Sequence, residues 1–138
     1  MDKERLHASL RLHEGISLKP YTDTTGHLTI GIGHNLDNGI TIQQAYQMLD
    51  SDIEICLKEL DRYHPVWMHL PTPQQNVLIE MMFNLGAPRL GGFVKMWAAI
   101  ERRDFKAAAA EMINSKWARQ VGNRAKTLAA QMENGFCT

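Results

Sequence analysis

The chain has 138 residues, 44% of them hydrophobic and 22% charged, with a formal net charge of zero. Such a length suits one domain, or two small lobes sharing a long helix, and buries roughly two-thirds of the unfolded surface without a disulfide staple. The composition excludes a disordered or low-complexity chain, and no run reaches transmembrane length or forms the apolar core of a signal peptide.

The charge is unevenly spread. Residues 1–88 carry six Lys/Arg against eleven Asp/Glu, and residues 89–126 carry nine against three. A basic second half would attract an anionic polymer such as a cell wall or a nucleic acid, and equally fits a solvated helical surface. Two cysteines, Cys56 and Cys137, are too few for a disulfide framework. Cys56, among apolar helical neighbours, reads as a buried free thiol.

In chain order, Asp2 or Lys3 to about His13 has the spacing of an amphipathic helix, Leu6 and Leu10 inward and Lys3, Glu4 and Arg11 outward. Glu14 closes that spacing, and Gly15 is its stop. Pro20 holds Leu18 to Asp23 extended. Thr24-Thr25-Gly26-His27 reads as a turn with Gly26 supplying a positive φ. Leu28 to Ile32 reads as a short strand facing something that approaches closely. Asn35 to Gly39 is turn chemistry.

Thr41-Ile42-Gln43-Gln44 is a capping box. The helix it opens keeps its apolar period to about Tyr63, where His64-Pro65 stops it. A second box, Thr72 to Gln75, opens a helix that buries Val77, Leu78, Met81, Met82 and Leu85 and ends at Gly86. Pro88 to Gly92 reads as loop. Phe93, Trp97 and Ile100 line a further helix, and Asp104 caps an alanine-rich one. Ser115 starts a short helix around Trp117, and a last helix carries Leu128 and Met132 to Gly135.

Chemistry concentrates between His13 and His34. A helix end followed by a hairpin would present Glu14, Asp23 and Thr29 to one cleft. An acid, an ionised carboxylate and a water-holding hydroxyl are the parts that glycoside hydrolysis needs. The spacing alone fits a solvated helix end, a turn former and a strand filler as well. No His-Glu-x-x-His or other close ligand spacing is present, so neither metal nor cofactor is expected.

The wording of the stretch goes further. Glu14-Gly15, Tyr21-Thr22-Asp23, Gly26 and Leu28-Thr29-Ile30-Gly31-Ile32-Gly33-His34 resemble the signature of the phage-type lysozymes, the T4 lysozyme-like glycoside hydrolases. The resemblance resumes at Thr41-Ile42, Met82 to Gly86, Gly92-Phe93, Ser115-Lys116-Trp117 and Asn123 to Lys126, and so covers nearly the whole chain in order. It implies a mainly helical α+β fold. A hairpin lobe would span about 15–40 and an inter-lobe helix about 42–63. A helical lobe of about 65–138 would take in the N-terminal helix, all within one lysozyme-like domain. Gly33-His34 is followed almost at once by Thr41, where the family's best-known member has a further helical segment, so a smaller hairpin lobe is expected. The chain also stops soon after Phe136, so a C-terminal extension is expected to be missing.

The resemblance also implies roles. Glu14 is the general acid, Asp23 the ionised carboxylate, and Thr29 holds a water, with an inverting outcome. Phe83, Asn84, Phe93 and Trp117 match cleft-lining positions, though the three aromatics fit a core equally well. Asn35, a residue type that the family's best-known member does not share, sits just after the motif, where its amide is placed to reach a sugar. His34 is expected to pair with Asp52 as structural support, and Arg124 to orient Glu14. The implied substrate is peptidoglycan, cut between N-acetylmuramic acid and N-acetylglucosamine. The expected protein is a monomer of the bacterial cytoplasm with no nucleic-acid partner and no stable membrane association, reaching the wall through a holin. A lytic transglycosylase, an inactive or tail-associated wall-binding module, and a nucleic-acid binder are the rivals.

Overall fold

The computed structural model describes residues 1–136; Cys137 lies outside them. The architecture is mainly helical with one small antiparallel sheet, an α+β fold. The chain forms two compact units, Met1–Gln47 and a second beginning at Met48.

The first unit holds helix α1 (Lys3–Glu14) and strands β1 (Ser17–Thr22), β2 (Leu28–Gly31) and β3 (His34–Asn35), in sheet order β1-β2-β3. Asp2 caps α1 by accepting the Arg5 N–H, and Gly15, at φ 72°, ends it. No residue of α1 is buried; Leu6 and Leu10 stay 44% and 45% exposed, so the inward face read from the sequence is only half covered. Ser17 faces Gly31 and Tyr21 faces Thr29, so β1 takes four steps where β2 takes two. Pro20, which has no N–H for the ladder, lies within that irregularity. The short β3 goes beyond the expected hairpin. It pairs His34 with Ile30 and Asn35 with Thr29. The turn chemistry of residues 35–39 becomes one 3-10 turn, Leu36–Asn38, ended by Gly39 at φ 69°.

Helix α2 (Ile42–Tyr63) spans the expected range, and the boundary between the units falls inside it. Its capping box is formed: Gln44 N–H donates to Thr41 Oγ1 at 3.1 Å, and Thr41 N–H to Gln44 Oε1 at 2.9 Å. A 3-10 turn, Pro65–His69, follows, then α3 (Thr72–Leu85).

The second capping box is not formed, and Thr72 is inside the helix. Gln75 Nε2 instead donates to the Trp67 and Met68 carbonyls of the preceding turn, and Gln74 Nε2 to Met132 O at 2.9 Å. Pro73 has no N–H to cap. The expected loop at 88–92 is mostly a short helix, α4 (Ala87–Gly91), begun after Gly86 turns the chain at φ 79°.

Helices α5 (Val94–Glu101), α6 (Phe105–Ile113), α7 (Lys116–Val121) and α8 (Asn123–Asn134) complete the unit. Phe93 is the cap of α5 rather than a member. Asp104 accepts Ala107 N–H, and Ser115 accepts Ala118 N–H, as caps of α6 and α7. Gln131 Nε2 of α8 donates to Pro73 O, the counterpart of the Gln74 bond. Every buried apolar side chain among the described residues, Cys56 to Met132, lies in this unit, with Leu60, Leu78, Met81, Leu90, Met96 and Ile100 fully enclosed. Cys56 is a free buried thiol there, its pKa raised by burial and then by Glu59 and Asp52.

Candidate active site

Glu14 is the last residue of α1. Gly15 ends the helix by donating its N–H to Arg11 O at 3.0 Å, which fixes where the Glu14 side chain leaves the backbone. The carboxyl lies against Gly33 in the turn between β2 and β3. A Cβ on Gly33 would stand 2.6 Å from Glu14 Oε2 and 2.9 Å from its Cδ. Gly33 also has φ 66°, which favours glycine. The close approach expected at the strand therefore occurs two residues beyond Gly31, whose surroundings are open. Glu14 and Gly33 line a depression of about 690 Å³ with His7, Leu10, Arg11 and Ile32. Within residues 1–47 the Glu14 carboxyl has neither hydrogen bond nor ion pair.

Asp23 begins the turn between β1 and β2. Its Oδ1 accepts three donors: Thr25 N–H at 2.9 Å, the Thr25 hydroxyl at 2.8 Å and His27 N–H at 2.8 Å. These bonds, the His27 amide first and the Thr25 hydroxyl next, hold its pKa below the ordinary carboxylate value. Gly26, at φ 86°, lets the turn close, and Asp23 N–H donates to His27 O at 2.9 Å. Thr29 stands directly across the ladder from Tyr21 and is 2% exposed, the one buried residue of this unit. Its hydroxyl donates to His27 O at 2.9 Å, which leaves Oγ1 only acceptor capacity.

One 47-residue unit thus carries all three residues that the sequence reading singled out for chemistry. The turn also gives work to two side chains read only as turn formers, Thr25 and His27. An Asp two residues before a Thr is the spacing of a local side-chain turn, and that was the available signal.

His34 Nε2 donates to Gly39 O at 2.8 Å, tying β3 to the end of the 3-10 turn. Asp52, the partner expected for this ring, is an exposed residue of α2 and belongs to the second unit. Asn35 caps the same turn, its Oδ1 accepting Asp37 N–H. Arg124 is exposed in the first turn of α8.

In the second unit, Trp117 is 3% exposed, and its Nε1–H donates to Asn84 Oδ1 at 2.7 Å. Phe93 meets Trp117 edge-on with ring centroids 6.1 Å apart. Core packing therefore accounts for Trp117 and orients Asn84, while Phe83 is 46% exposed on α3. Phe93 and Trp117 line a second depression of about 580 Å³ with Arg89, Lys95, Glu111 and Lys116.

Similarity to known proteins covers most of the chain. Probable T4-type lysozymes 2 and 1 of Dictyostelium discoideum are each 25% identical to it, over 91% of this chain and 92% of theirs. The pre-baseplate central spike protein Gp5 of Enterobacteria phage T4 is 27% identical over 84% of this chain but only 25% of its own length. Residues 11–134 match the model of the phage lysozyme family, and the chain belongs to that family of glycoside hydrolases.

Proposed function

We propose that the protein is a muramidase that hydrolyses the β-1,4 bond between N-acetylmuramic acid and N-acetylglucosamine in peptidoglycan. The observation that carries this reading is the state of Asp23. Three donors converge on one of its oxygens and favour the carboxylate, the form needed to activate water or to stabilise a developing cation. Glu14, whose carboxyl no basic side chain of its own unit engages, is the acid that protonates the leaving oxygen. Thr29 Oγ1, its own proton given to His27 O, accepts from the attacking water. An inverting course follows from this division of labour, and the anomer first released from a defined glycan strand tests it. On the second unit, Phe93 and the depression it shares with Trp117 are a surface proposed to bind sugars.

Host-cell lysis, with a holin opening the route from cytoplasm to wall, is the setting that best fits the family match. Expression alone should leave cells intact, and chloroform should then lyse them. The match to the central spike protein favours a second setting, a tail-borne wall-cutting module. Lysis only by intact particles, and none by the free protein, would select it.

The central test is Glu14→Gln in a turbidity assay on permeabilised cells. The amide keeps the shape and cannot donate the proton, so the rate should fall at least about 100-fold with the melting temperature unchanged. A loss under about tenfold, or ~1.4 kcal/mol of barrier, would remove Glu14 from the acid's role.

A further inference from the structure

The turn that carries Asp23 contains a hydrogen-bond chain whose protons can be counted. The Thr25 oxygen that donates to Asp23 Oδ1 at 2.8 Å also lies 2.7 Å from His27 Nδ1. A hydroxyl has one proton. With that proton directed to Asp23, the His27 contact is a hydrogen bond only if Nδ1 carries a proton and donates it. In the opposite arrangement Thr25 would donate to a bare Nδ1. Two lone-pair-bearing oxygens would then face each other at 2.8 Å, one of them on an anion. The Nδ1–H form of His27 is therefore the one that satisfies both contacts. The same residue closes the turn through its backbone, giving its N–H to Asp23 and its carbonyl to Thr29 and to Asp23 N–H. Within residues 1–47 no donor reaches Asp23 Oδ2.

We infer that Thr25 and His27 are positioning residues for Asp23. His27 Nδ1–H fixes the Thr25 hydroxyl, Thr25 fixes the carboxylate, and Oδ2 is the oxygen left to take a proton from water. The assignment deepens the muramidase reading and rests on it for the role of Oδ2. The order of the chain decides what each group does. The His27 ring stands 3.9 Å from Asp23 Oδ1, beyond hydrogen-bond reach, so it acts on the carboxylate mainly through Thr25. The other titratable groups of the hairpin are Lys19 and Tyr21 on β1, and β2 has none.

The test uses the full chain and three single variants. Thr25→Val removes the hydroxyl at nearly constant shape, His27→Leu removes the ring donor, and His27→Asn restores an N–H near the Nδ1 position. Two readouts are followed: the Asp23 side-chain carboxyl by carbon NMR titration, and the pH profile of wall lysis. Thr25→Val and His27→Leu should both move the Asp23 titration, and the acid limb of the profile, to higher pH. His27→Asn should leave both near wild type. The Thr25→Val/His27→Leu double variant should move no further than Thr25→Val alone, because the two groups act in series. A wild-type Asp23 titration in His27→Leu, or a double variant whose shift is the sum of the singles, would overturn the relay. A chain that cuts no wall would show no lysis profile in any variant while the NMR titration still shifted, so the two failures are distinguishable.

Discussion

The two units are held together by different physics. The helical unit encloses Leu, Ile, Met, Ala and Trp side chains from seven helices, α2 to α8, around one core. The unit of residues 1–47 buries only a threonine, and its form comes from caps, glycine turns and an aspartate that gathers three donors. Apolar burial is non-directional and tolerant of volume-conserving change, whereas a turn built on hydrogen bonds places individual oxygens. The groups proposed for chemistry lie in the second kind of structure, where a substitution should alter position before it alters stability.

Six substitutions sharpen or break that contrast. The largest expected effect is in the core. Leu78→Ala, at a fully enclosed site, should cost about 2–5 kcal/mol by denaturant titration. Leu18→Ala, on exposed β1, should stay within about 0.5 kcal/mol. Equal losses would mean that the N-terminal unit has a core of its own. Next is Gly33→Ala, whose Cβ would drive the Glu14 carboxyl from its place. The positive φ should cost about 1–2 kcal/mol, and wall lysis should fall about tenfold. Full activity in that variant would show that Glu14 works from another position.

Thr41→Ala removes half of a formed capping box and should lower stability by about 1 kcal/mol. Thr72→Ala should be close to neutral, because Thr72 caps nothing; similar losses at the two sites would contradict this difference in capping. The smallest effect concerns His64. Its ring stacks on Trp97 with centroids 3.8 Å apart, its Nε2 is buried without a partner, and burial pushes its pKa below the ordinary histidine value. The unfolded chain therefore takes up the proton first. Stability from this group is present above about pH 6.5 and is lost as pH falls from there through the folded value. His64→Phe keeps the stacking and should narrow the difference between melts at about pH 7.5 and about pH 5. An unchanged difference would place the acid sensitivity elsewhere.

What was legible in the sequence follows the same division. Helix ends with local chemical causes were readable: Gly15, the Thr41–Gln44 box, Asp104, Ser115 and Gly135 all act where their residue types suggest. The Thr72–Gln75 box was misread because its glutamines bond partners outside the box. Gln75 turns back to the preceding turn and Gln74 reaches a carbonyl 58 residues away, which no local spacing encodes. Residues 88–92 were read as loop because Pro88 and two glycines dominate them, yet proline suits the first turn of a short helix. Glu14, Asp23 and Thr29 were singled out by their residue types and motif. The Thr25–His27 contact was not, because it depends on ring orientation within a turn.

The crossed glutamines of α3 and α8 bear on how the chain comes off the ribosome. Gln74 and Gln131 each donate to the backbone of the other helix, and each acceptor stands 58 residues from its donor. The start of α3 is thus secured by residues synthesised long after it. Until α8 emerges, Val77, Leu78 and Met81 lack the partner that helps enclose them. The apolar face of α3 should therefore be a binding site for chaperones on the nascent chain, one that vanishes when the last helix docks.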